Sequence, residues 1–184
     1  TSFNTIDGIP ATANYHLMRD ILRGEMGFDG VLISDFAAIK ETIAHGYSEN
    51  EKDAAEKCLR AGVDIDMMTS VYAKHAGELI ETGVLQQSIL DESVMRILEL
   101  KNKLGLFENP YKDADAEKEK NFLLCQTHRE AARKAAANSL VLLKNEGILP
   151  LSLNQKNAFI GPYVNEKHLL STWAFTGDVN DCVS

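Results

Sequence analysis

Apolar residues in the first hundred positions fall into two patterns: short continuous runs, and stretches that repeat every three to four residues. Gly30 to Ser34 (GVLIS) is a nearly continuous apolar run, the pattern of a strand buried on both faces of a parallel sheet. Val63 to Met68 (VDIDMM) reads as a second strand, and Thr1 to Asn4 as the end of another, followed by the turn signal Asp7-Gly8-Ile9-Pro10. Between these runs the spacing is helical. Leu17, Met18, Ile21 and Leu22 share one helical face, with Asn14 placed to cap it and Gly24 and Gly27 to end it. Ser48 and Glu51 have capping-box spacing ahead of Ala54, Ala55, Cys58 and Leu59, closed by Gly62. Tyr72, Ala76, Leu79 and Ile80 mark another helix that ends at Gly83. Asp91 is placed to cap a further one, with Val94, Ile97 and Leu98 inward and Gly105 as its stop.

After Phe107 the pattern changes. Glu108 to Asn121 is acidic and lysine-containing with almost nothing apolar, the composition of a linker or solvated crossing. Thr127 and Glu130 form another capping-box pair, opening an alanine-rich helix to about Ser139. Leu140 to Leu143 reads as a buried strand, and Ala158 to Gly161 as a second strand-like piece. Strands alternating with helices in this order predict an α/β fold with right-handed β-α-β units and a parallel sheet, either a barrel or a doubly wound fold. Periodicity does not choose between them.

Composition narrows the function classes. Of 184 residues, 45% are apolar and 25% charged, an ordinary globular balance. The formal net charge of -8 argues against nucleic acid held on a basic surface. The longest apolar runs fall far short of the ~20 residues a membrane helix needs. Cys58, Cys125 and Cys182 have no CxxC spacing and read as free thiols, which leans slightly toward a cytoplasmic setting over a secreted one. The chain opens on Thr1 and stops at Ser184 without a closing cap, the expectation for part of a longer protein.

Candidate chemistry belongs at the carboxyl ends of the strands. Ser34-Asp35-Phe36 follows GVLIS directly. There Asp35 is placed to act as nucleophile, base or metal ligand, or simply to cap the next helix. Asp64 and Asp66 flank Ile65, so alternation puts them on one face. They suit a polar barrel interior, a metal site, or structural acids bonded to nearby backbone. The five histidines lack HxxxH or HExxH spacing, and GxGxxG, GxxxxGK[ST] and GxSxG are absent, so no metal or cofactor is expected. Phe3, Phe36 and Trp173 could offer aromatic faces to a ligand or belong to the core.

Several blocks in order, Ser2-Phe3-Asn4, Asp7 to Ala11 and Gly27 to Phe36, together resemble glycoside hydrolase family 3, the family of β-glucosidases and β-xylosidases. Ala61 to Met67 resembles the family's last barrel strand, Lys103 to Pro110 the segment leaving the barrel, and Ser139 to Leu151 the entry to its α/β sandwich domain. Trp173 to Gly177 resembles a turn found in bacterial β-glucosidases. The resemblance implies that residues 1–107 are the C-terminal portion of a (β/α)8 TIM barrel, 108–125 a linker, and 126–184 the start of the sandwich. Only roughly three of the eight barrel strands would then be present. It implies that Asp35 is the catalytic nucleophile of a retaining, double-displacement hydrolysis of terminal β-D-glucosyl residues. Phe36 would line the sugar site as an aromatic often replaced by Trp. Phe3 would do so at a position often occupied by Tyr, and its missing hydroxyl bears on sugar preference. The acid/base would come from the sandwich domain, later than this chain reaches. Implied partners are β-linked glucosides or oligosaccharides, without nucleic acid or membrane, together with self-association or remaining strands from another chain. A β-xylosidase or arabinosidase of the same family, and a non-catalytic α/β module that binds a sugar or partner, remain the alternatives.

Overall fold

The computed structural model describes residues 1–112, 114–167, 170, 173–174 and 177–179. His168, Cys182 and two positions of the Trp173 to Gly177 turn lie outside the described residues. The chain divides into two units, Thr1–Asp115 and Ala116–Ser184.

The first unit begins with a small hairpin. β1 (Thr5–Ile6) pairs antiparallel with β2 (Ile9–Pro10) across the two-residue loop Asp7-Gly8. Both loop residues have positive φ, 52° and 79°, as the tight turn that suits strand twist requires; Asp-Gly supplies this cheaply. A 3-10 turn, Ala11–Ala13, leads to Asn14, whose Oδ1 accepts from Leu17 N at 3.0 Å and caps the following helix. That helix, His16–Glu25, is wound as a π-helix, and the Met26 N–H to Ile21 carbonyl bond of 2.9 Å shows its i to i+5 pattern. Met18 is buried and Leu17, Ile21 and Leu22 are half-buried, so the apolar face is as the spacing predicts. Gly24 stays inside the helix, which runs on to Glu25.

Four α-helices follow in this unit: α1 (Ala38–Ala44), α2 (Glu51–Ala61), α3 (Val71–Glu81) and α4 (Gln87–Lys103). α2 packs against α1, α3 and the Ala11–Ala13 turn. Ala54, Ala55, Cys58 and Leu59 of α2 meet Ile39, Val71, Ala76, Leu79 and Leu85 in one core. Each large aliphatic fully buried here contributes roughly 1.5–3 kcal/mol. The small residues of α2 allow close approach of its neighbours. Gly62 ends α2 at φ 87°, and a Cβ there would fall 2.8 Å from Arg19 Nε, so both the backbone and the space call for glycine.

Several caps differ from the predicted ones. Asn50, not Ser48, caps α2: its side chain accepts from Asp53 N at 3.0 Å, while Asp53 Oδ2 accepts from Glu49 N at 2.9 Å. This reciprocal Asn/Asp pair displaces the Ser48/Glu51 box. Ser48 is instead buried against Thr42 Oγ1, and Glu51 pairs with Lys40. Asp91 lies inside α4, accepting from Gln87 Nε2, because the buried Leu85 seats the chain so that the helix starts earlier. The buried side of α4 is at Ser93; Val94 and Leu98 are exposed and Ile97 only half-buried.

The strands are shorter than predicted. Residues 30–34 and 63–66 pair in parallel through a single bridge, Ile33 with Ile65. Ile33 is 42% exposed, so its run is not covered on both faces within this chain, whereas Val63 is fully buried. Thr1 to Asn4 forms no ladder of its own.

In the second unit, α5 (Ala116–Phe122) occupies part of the stretch expected as linker, and α6 (Gln126–Ser139) follows. Thr127 and Glu130 sit within α6, Glu130 accepting from Gln126 Nε2, so neither is a cap. Leu140 to Leu143 is exposed, not buried. Neither it nor Ala158 to Gly161 finds a ladder partner among the described residues, and a strand needs one.

Candidate active site

The two parallel segments meet closely at their carboxyl ends. Ser34 N donates to Ile65 O at 2.9 Å and Ile65 N to Leu32 O at 3.0 Å. On the other side, Thr1 nitrogen donates to Ile33 O at 2.9 Å and Asp35 N to Thr1 Oγ1 at 3.3 Å. Three stretches therefore lie side by side, and the loops beyond them carry Phe3, Asp35 with Phe36, and Met67 to Ser70. These loops are strained. Ala37, Met68 and Ser70 have φ of 58°, 73° and 57°, the left-handed region that side chains disfavour. Ala37 N holds the first loop to the second by donating to Met67 O at 3.0 Å.

Asp35 is exposed. Its Oδ1 accepts from Phe36 N at 2.6 Å, while α1 begins without any side-chain cap, so Asp35 is not that helix's N-cap. Phe36 and Phe3 stand beside this end, 49% and 40% exposed, and belong to no core.

The other two acids serve separate structural ends. Asp66 accepts from Val71 N at 2.6 Å, from Tyr72 N at 3.4 Å and from the Thr69 hydroxyl, so it secures the start of α3. The Asp64 side chain is fully buried at the amino end of its strand. It accepts from Leu32 N at 2.8 Å, Arg23 Nη2 at 3.0 Å and Arg96 Nη1 at 2.7 Å. Glu92 joins Arg96 to Arg19, and Arg23 also donates to Gly30 O and Gly62 O. Burial, then the neighbouring Arg96, lowers the Arg23 pKa, with Asp64 opposing both. Sequence reading missed this network. Its signal was present in the four-residue spacing of Arg19 with Arg23 and of Glu92 with Arg96, each pair on one helix face. Among the described residues no group of three His, Cys, Asp or Glu side chains is placed to hold a metal.

Residues 1–100 match the Glycosyl hydrolase family 3 N terminal domain. The chain belongs to glycoside hydrolase family 3. The periplasmic beta-glucosidase of Salmonella typhimurium is 35% identical across the whole chain, which spans 25% of that protein. A probable exo-1,4-beta-xylosidase of Aspergillus clavatus is 34% identical over 89% of the chain and 22% of its own length. Among solved structures, the beta-glucosidase of Listeria innocua in complex with isofagomine superposes with a TM-score of 0.90 at 46% identity, over the whole chain and 26% of that protein. Another structure of the Listeria beta-glucosidase gives 0.76 at 50% identity, over 82% of the chain and 21% of that protein. This family member thus spans about a quarter of the length of these relatives.

Proposed function

We propose that this chain is the nucleophile-bearing part of a retaining β-glucosidase, and that Asp35 is the nucleophile. The carrying observation is the contrast among the three acids: Asp64 and Asp66 are consumed by structural bonds, while Asp35 stands exposed at a strand's carboxyl end. The Phe36 N–H orients one carboxylate oxygen and leaves the other to attack the anomeric carbon. The glycosidic bond breaks as a second carboxyl group, ~5–5.5 Å away in the complete enzyme, protonates the leaving oxygen. The same group, now a base, activates the water that releases the sugar from the glycosyl-enzyme intermediate. Phe36 and Phe3 offer apolar faces to the sugar ring.

Residues 1–107 are read as the last part of a (β/α)8 barrel, 108–125 as a linker and 126–184 as the opening of an α/β sandwich. The parallel 30–34 and 63–66 segments support the barrel reading. Glucosidase is preferred to xylosidase on identity among solved structures: those of the Listeria beta-glucosidase, which include complexes with glucose and laminaribiose, stand at 46–50%, and the GH3 exo-beta-xylosidase XlnD at 30%.

In the full-length enzyme, Asp35→Asn is expected to lower kcat on an aryl β-glucoside by at least about a thousandfold with the fold intact. A folded Asp35→Asn enzyme with near-normal turnover would exclude the role. Wild-type kcat/KM higher on the xyloside would reassign the sugar.

A further inference from the structure

The ladder between the two site-bearing strands does not end where its backbone bonds end. After Ser34 N to Ile65 O, the next bond of a parallel ladder would run from Met67 N to the Ser34 carbonyl. Met67 N instead donates to Ser34 Oγ at 2.8 Å. The same hydroxyl donates onward to Asp35 O at 3.0 Å, and Ser34 is 1% exposed. The side chain has taken over a backbone position. The chain is released from the sheet one residue early, yet stays tied to its neighbour.

This hydroxyl fixes the residue that follows it. The Asp35 carbonyl is held by Ser34 Oγ and by Ala38 N at 3.1 Å, in a loop that Ala37 N clamps to Met67 O. The left-handed Ala37 and Met68 lie on the two sides of that clamp, and such strain persists only where surrounding bonds enforce it. We infer that Ser34 is a positioning residue: its hydroxyl couples the Met67 loop to the Asp35 backbone and sets the aim of the Asp35 carboxylate. The inference rests on the reading of Asp35 as nucleophile. A carboxylate displaced by about 1 Å loses on the order of a hundredfold in rate, and a buried serine that neither touches sugar nor moves a proton would act through that displacement alone.

The test is made in the full-length enzyme with Ser34→Ala, Ser34→Cys and Ser34→Thr. A 2-deoxy-2-fluoro glucoside counts competent sites, so that the rate per intact site is read separately from loss of folded protein. The expected result is a fall of about ten- to a hundredfold in per-site kcat for Ser34→Ala and Ser34→Cys, with KM changed less than about threefold. Ser34→Thr, which keeps the hydroxyl, should stay within about threefold of wild type. If Ser34→Ala does not fold, Ser34→Cys against Ser34→Thr decides. Unchanged per-site kcat in Ser34→Ala or Ser34→Cys, or equal losses in Ser34→Thr and Ser34→Cys, would overturn the role of the hydroxyl. Asp35→Asn is run beside them: full activity there removes the reading of Asp35 itself, whereas its inactivity with a normal Ser34→Ala removes only Ser34.

Discussion

At the scale of single residues, burial changes the chemistry of side chains that composition treats alike. Burial pushes the Cys58 thiol up to about 12, with Asp66 and Asp53 adding to the shift, and pushes Tyr72 well above its ordinary value. The unfolded thiol ionises near 9.0, so between there and about 12 the unfolded state has released a proton that the folded state keeps. Stability therefore falls as pH rises through that window. Urea unfolding of the full-length enzyme between about pH 8 and 11 should show this decline, and Cys58→Ala should make it shallower, with Tyr72 adding to the remainder. A slope unchanged by the substitution would contradict the assigned burial. Asp35 was legible as a candidate because a carboxylate directly after an apolar run declares itself. Ser34 was not, since its role depends on the Met67 N–H, thirty-three residues away in sequence.

Elements show the same division. The apolar faces of the helices were readable because 3.6-residue spacing is local: Ala54, Ala55, Cys58 and Leu59 are all core. Caps were less readable where two boxes competed within three residues, and Asn50 with Asp53 won over Ser48 with Glu51. The strand positions were legible but their burial was not, since a continuous apolar run describes a sheet with both faces covered and Ile33 has one open. Where backbone pairing is this short, side chains complete it: the Asp64 carboxylate accepts Leu32 N at one end, as the Ser34 hydroxyl accepts Met67 N at the other. Asp64→Asn leaves Arg23 and Arg96, 9% and 10% exposed, without their shared counter-charge. It should destabilise the full-length enzyme by about 3–5 kcal/mol in urea unfolding, as breaking a buried pair does. The exposed Asp20→Asn is the control, expected to leave the midpoint unchanged. Equal midpoints for both variants would mean that the network contributes no stability.

For the whole molecule, exposed apolar surface is the dominant feature of each unit. In the first, Ile33, Val94 and Leu98 are exposed; in the second, Leu140 to Leu143 stand 63–92% exposed without a ladder partner among the described residues. Unpaired apolar edges favour association. The purified 184-residue chain is expected to self-associate in light scattering and to show no turnover of an aryl β-glucoside. A monodisperse monomer with cooperative unfolding would point instead to a self-contained module. The most direct test of the catalytic assignment is covalent. Full-length enzyme is incubated with a 2-deoxy-2-fluoro-β-glucoside bearing a good leaving group, digested, and mapped by mass spectrometry. The glycosyl label is expected on Asp35; a label on Asp64, on Asp66 or on a peptide outside this chain would contradict it.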